Sequence, residues 1–306
     1  MLRIIFVLVL IFFSNYSYAE YKGLKKLSKN NSFMDEKGIP YSSDLITDKE
    51  NILLLIWNHG SGPDTKIDKC KKKPKFGYIW EGAIPPVILE FHNKKINNLE
   101  IKIFRLCSGV KGMSGKEQDK IFNLIKKGKK IDTYSELKQQ KRQNIIFNKV
   151  EKFIEEGFNN IVIGGYSAGG WASLNLISRY PKKFKGAIAF NPAFAGPKQE
   201  WNKELPNWGF FREEQINELQ KNNTLNALVF LHSNDEFETP VTLSFLSNFN
   251  YINLIDYSEL KPTECVWADV DKNMPMEAGH DIPQSSCFVE YEKKNKFIFK
   301  YLENIF

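Results

Sequence analysis

None of the four cysteines, Cys70, Cys107, Cys265 and Cys287, lies in a CxxC pair. The chain thus lacks the paired thiolates on which most structural zinc sites are built, and no metal is expected. After residue 19 no apolar run approaches the ~20 residues that a membrane span needs. The lysine clusters at Lys69–Lys75 and Lys126–Lys130 carry no interleaved aromatics. Without such stacking platforms the net charge of +7 reads as solvated basic loops and not as a nucleic-acid surface. Neither an internal repeat nor a low-complexity linker divides the 306 residues, a length that suits one large α/β domain.

What is present begins at residue 1. Arg3, the unbroken apolar run Ile4–Phe13 and small residues up to Ala19 form the pattern of a secretory signal peptide. The polar pair Ser14-Asn15 interrupts the run and argues against a membrane anchor, and no cysteine follows it to take a lipid. Residues 1–19 are therefore expected to be removed. That leaves residues 20–306 in the periplasm or outside the cell, with no stable membrane span. All four cysteines fall in the exported part, where an even number suggests disulfides. Of three possible pairings the sequence-local one, Cys70–Cys107 with Cys265–Cys287, is preferred. Buried free thiols are the alternative.

Continuous apolar runs at 52–57, 161–164, 186–190 and 227–231, and the alternating 99–106, read as strands. Helical spacing covers 134–157, with Gly157 as its stop, and 168–180, stopped by Pro181. A helix is expected to start near Pro85-Pro86, others at 240–249 and 288–306, and residues 20–50 suit a short leading hairpin. Alternating strands and helices give an α/β fold, a mostly parallel central sheet with helices on both faces. Such sheets bind ligands at the carboxyl ends of their strands.

At one of those ends stands Gly165-Tyr166-Ser167-Ala168-Gly169. A dinucleotide fingerprint would need GxGxxG, and a P-loop a lysine after the last glycine; Gly170 and Trp171 stand there instead. GxSxG fits a nucleophile elbow, a sharp turn that raises a serine hydroxyl above the sheet. Serine needs a base to be nucleophilic. Only His232 and His280 follow Ser167. His232 ends a strand, with no acid between it and the serine, so His280, in a late loop, is the candidate base. The acid is expected after the fifth strand. Asp235 is first there, Glu236 is the main rival, and Asp269 and Asp271 are remote ones. Oxyanion donors are expected from the N–H of Ala168 and from the His59-Gly60-Ser61 loop, with Ser61 ahead of Gly60 and His59 as a brace.

HGSG, GYSAGGW, RYPKKFKGAIAFNP and the late GHD together resemble the α/β-hydrolase superfamily, in particular its dienelactone-hydrolase-like and prolyl-oligopeptidase-like esterases and peptidases. The likeness spans roughly residues 50–306. It implies an α/β-hydrolase fold, a Ser167–Asp235–His280 triad and cofactor-free hydrolysis of a small-molecule or peptide acyl substrate. The aromatic insertion at 194–224, with Trp201, Trp208, Phe210 and Phe211, is expected to cap the acyl pocket, or else to pack without touching substrate. Lacking an appended domain that would select short peptides, the sequence favours a carboxylesterase. A peptidase of the same fold and a non-catalytic binding protein are the alternatives. Cys265 and Cys287 bracket His280 and would restrain its loop. Substrate identity and oligomeric state have no sequence signal.

Overall fold

A computed structural model of the chain describes residues 33–34, 40–60, 84–106, 115–128, 138–194, 207–222, 224–267, 276 and 278–306. Residues 1–19, where a signal peptide is expected, and Cys70, Cys107, Ser61, Trp201, Asp269 and Asp271 lie outside the described residues.

Two sheets of different size organise the described residues. Strands β1 (Phe33–Met34) and β2 (Pro40–Tyr41) form a small antiparallel pair, matching the leading hairpin. The main sheet has seven strands: β3 (Ile52–Asn58), β4 (Lys95–Ile96), β5 (Leu99–Leu106), β6 (Asn160–Tyr166), β7 (Gly186–Phe190), β8 (Ala227–Leu231) and β9 (Ile252–Asp256). Their order is β4-β5-β3-β6-β7-β8-β9. Only the β4–β5 contact is antiparallel.

All seven residues of β3 are buried, and period-2 alternation divides them between two cores. Leu54 and Ile56 pack with side chains of α3 (Lys138–Glu155), α4 (Ala168–Arg179) and α5 (Asn207–Gln220). Leu53, Leu55 and Trp57 pack on the opposite face with α1 (Pro86–Leu89), α6 (Ser286–Asn295) and α7 (Phe297–Ile305). Burial on both faces explains why β3 reads as an unbroken apolar run. Among the described residues no helix is long and apolar enough to cross a membrane.

The expected elements need four corrections. Helix α2 (Gly115–Lys126) occupies part of a stretch whose glycines and lysines hid its periodicity. Residues 240–249 are a turn followed by the 3-10 segment Ser244–Asn248. There the Thr242 carbonyl accepts from Arg212 Nη2 at 2.9 Å, taking it from any helical ladder. The last helix is two, because Lys296 turns left-handed (φ 58°) and the Glu292 carboxylate accepts from the Ile298 N–H at 2.6 Å, capping α7. Ile145, inside the apolar spacing expected for α3, is exposed, while Gln139, Gln140, Arg142 and Gln143 in its first turns are buried.

Candidate active site

Strand β6 ends at Tyr166 and α4 begins at Ala168, leaving Ser167 alone between them with φ 55° and ψ −124°. A side chain in this region is strained by roughly 1–3 kcal/mol and persists only where the surroundings impose it. Here they do. The Ser167 N–H donates to the Phe190 carbonyl at 2.9 Å, and its own carbonyl accepts from Ala193 at 3.1 Å and Trp171 at 3.0 Å. Two of these contacts come from β7 and the loop after it, so the neighbouring strand fastens the elbow.

The glycines of the motif are steric necessities. A Cβ on Gly165 would sit 2.5 Å from the Gly169 carbonyl oxygen and 2.7 Å from Gly170 N. A Cβ on Gly169 would sit 2.6 Å from the His59 carbonyl oxygen. Each obstacle is backbone, which cannot swing aside. Gly165→Ala should therefore destabilise the fold by about 3 kcal/mol and lower the Tm by several degrees, measured by circular-dichroism melting. A Tm within about 1 °C of the parent would show that strand and helix can part at little cost.

Asp235 and His280, 45 residues apart, meet at the same edge. The His280 Nδ1–H donates to Asp235 Oδ2 at 2.7 Å, and both side chains are buried. The other oxygen of Asp235 accepts from the Phe237 N–H at 2.8 Å and the Glu238 N–H at 3.4 Å. The imidazole packs against the rings of Tyr166 and Phe237, with centroids at 4.9 and 4.4 Å. Glu236, the rival acid, is exposed.

Several residues that hold this arrangement left no mark in the sequence pattern. Asn191, just after β7, donates to the carbonyls of Gly279 and His280 at 3.2 and 2.8 Å. The Tyr257 hydroxyl donates to the Gly279 carbonyl at 3.3 Å, and burial pushes its pKa far up, so it remains a donor. Behind the acid loop, Glu238 grips Arg212 of α5 through two bonds of 2.7 and 2.9 Å. Burial raises the Glu238 pKa, while Arg212's hydrogen bonds and charge pull it back. Arg212 also lies 5.7 Å over the Trp171 ring, and Trp171 Nε1 donates to Gln215 at 2.7 Å. The described part of the aromatic insertion, α5, is thereby fastened to both the elbow helix and the acid loop.

The remaining sequence candidates are placed as follows. His232 donates through Nε2 to the Leu260 carbonyl at 2.9 Å and accepts at Nδ1 from the Asn234 N–H at 3.0 Å, so both ring nitrogens brace the strand end. His59 and Gly60 follow β3, with His59 Nδ1 donating to the Gly60 carbonyl at 2.7 Å. Ala168 opens α4, where the first N–H groups have no partner within the helix. Cys265 and Cys287 lie side by side with Cα atoms 5.5 Å apart, a distance a disulfide spans. Among the described residues no group of three or more His, Cys, Asp or Glu could hold a metal ion.

The phospholipase/carboxylesterase family matches residues 121–211, which include Ser167 but end before Asp235 and His280. No curated protein matches the chain. Among solved structures, the chain is similar to Est1E from Butyrivibrio proteoclasticus at 14% identity, over 69% of this chain and 79% of that one, with a TM-score of 0.43. Oligopeptidase B from Leishmania major is 14% identical, over 90% of this chain and 36% of that one, with a TM-score of 0.46. A phospholipase/carboxylesterase from Dyadobacter fermentans is 11% identical, over 69% and 82%, with a TM-score of 0.36. A mostly parallel seven-stranded sheet, a serine elbow after β6, an acid after β8 and a histidine after β9 make this an α/β-hydrolase fold.

Proposed function

We propose that the protein is an exported serine hydrolase that cleaves a carboxylic ester through Ser167, His280 and Asp235. The observation that carries this reading is a strained elbow serine at the same sheet edge as a buried histidine whose Nδ1–H is held by a buried carboxylate at 2.7 Å. That hydrogen bond selects the tautomer with an unprotonated Nε2, the form a general base needs. Ser167 Oγ attacks the acyl carbonyl as its proton passes to His280 Nε2. The N–H groups of Ala168 and of the Gly60-Ser61 loop hold the oxyanion. The tetrahedral intermediate collapses as His280 protonates the leaving alcohol. His280 then takes a proton from water, which attacks the acyl-enzyme, and passes that proton to the departing Ser167 Oγ as the acid is released. Ester over amide is supported by the phospholipase/carboxylesterase match, which includes the elbow. Export is supported by the charged, apolar and small-residue pattern of residues 1–19, and a Cys265–Cys287 disulfide beside the His280 loop suits that compartment.

The test is covalent. A fluorophosphonate should add to the folded protein, and peptide mass spectrometry should map the adduct to Ser167. Folded protein that takes no label, or takes it elsewhere, overturns the reading. A panel of p-nitrophenyl esters beside aminoacyl p-nitroanilides then separates esterase from peptidase.

A further inference from the structure

A fully buried arginine stands behind the loop that follows β3. Arg142 comes from the second turn of α3, where Gln139, Gln140 and Gln143 are buried as well. One terminal guanidinium nitrogen donates to the His59 carbonyl at 2.7 Å, and both reach the Gly60 carbonyl at 3.4 Å. The Gly60 carbonyl is held a second time by His59 Nδ1 at 2.7 Å. A Cβ on Gly169, two residues past the elbow, would sit 2.6 Å from this same His59 carbonyl oxygen.

Peptide planarity turns these contacts into a constraint on donors. Across a trans peptide the C=O and the following N–H point in opposite directions. Drawing the His59 carbonyl to Arg142 therefore turns the Gly60 N–H the other way, away from α3. The planar guanidinium places several N–H donors against two successive carbonyls at once, which an ammonium does less well. A buried cation is costly to desolvate, so a site needing only bulk would be better filled by an apolar side chain.

We infer that Arg142 is a positioning residue for the oxyanion donors, aiming the Gly60 N–H at the carbonyl oxygen of a substrate bound at Ser167. The inference rests on the Ser167 reading above, which the fluorophosphonate adduct on the parent protein tests by itself. An oxyanion donor acts in the transition state and not on the bound substrate, so its misalignment lowers kcat and spares KM.

With p-nitrophenyl acetate as substrate, Arg142→Ala should lower kcat about 10- to 100-fold while KM stays within about threefold. Guanidinium ion at millimolar concentration should restore part of kcat, and sodium chloride at equal ionic strength should not. Arg142→Lys, able to reach one carbonyl, should fall between the alanine variant and the parent. If the alanine variant does not fold, the lysine variant carries the same kcat-against-KM comparison. Unchanged kcat in a folded variant overturns the inference. So does a loss confined to KM, or a kcat that guanidinium leaves untouched. Failure of both variants to fold assigns Arg142 to packing and overturns it too.

Discussion

Ser167→Ala is expected to lower kcat for ester hydrolysis by about 10⁶-fold and to leave the protein folded. The Ser167 side chain makes no capping bond to α4, so its hydroxyl can be removed without loosening the helix. The backbone bonds to Phe190, Ala193 and Trp171 remain, and alanine tolerates φ 55° no worse than serine does. What disappears is the nucleophile. Without it the oxyanion donors can only assist attack by water, a contribution of roughly 10³–10⁴ over solution. Steady-state kinetics on p-nitrophenyl acetate, beside a circular-dichroism melt, checks both halves. A folded alanine variant retaining more than about 1% of kcat would remove Ser167 from the mechanism.

Asp235→Asn should cost about 10⁴-fold in kcat, whereas Glu236→Gln should change it by less than about twofold. The geometry supplies the reason. Asp235 Oδ1 already accepts from the Phe237 N–H at 2.8 Å, so an asparagine at this position must keep its carbonyl oxygen there. Its NH₂ group then replaces Oδ2 and faces His280 Nδ1. Two donors cannot face each other, so the imidazole moves its proton to Nε2 and loses the lone pair that deprotonates Ser167. Glu236 is exposed and should be dispensable. Kinetics of the two single variants on one ester decides the matter, and a larger loss in the Glu236 variant would transfer the acid's role to that residue.

Legibility in the sequence followed the burial of each element. Strands β7 and β8 are matched residue for residue by the apolar runs 186–190 and 227–231, because strands covered on both faces carry no polar residues to blur their ends. The elbow is legible because backbone crowding admits only glycine at 165 and 169. The acid and base could be ranked by chain order alone. The expected helix at 240–249 fails because hydrogen bonding at Thr239 and Thr242, and Arg212's hold on the Thr242 carbonyl, depend on partners that local periodicity cannot register.

Long-range polar contacts escaped the sequence for the same reason. Arg142 reaches across 83 residues to His59, Arg212 across 26 to Glu238, and Asn191 across 89 to His280. In sequence each is an ordinary polar residue on a helix or in a loop, and a buried arginine has the same spelling as an exposed one.

Residue order by itself determined the layered α/β architecture, the serine raised between strand and helix, and the candidates for acid and base, because apolar periodicity is a local property and crowding at the elbow is written into the sequence as glycine. Only the tertiary structure decided that Asp235 and not Glu236 faces His280, that His232 braces a strand end, and that α5 is tied to the acid loop through a buried ion pair. Those outcomes depend on which polar groups lose water together, and that is settled when distant strands pack side by side.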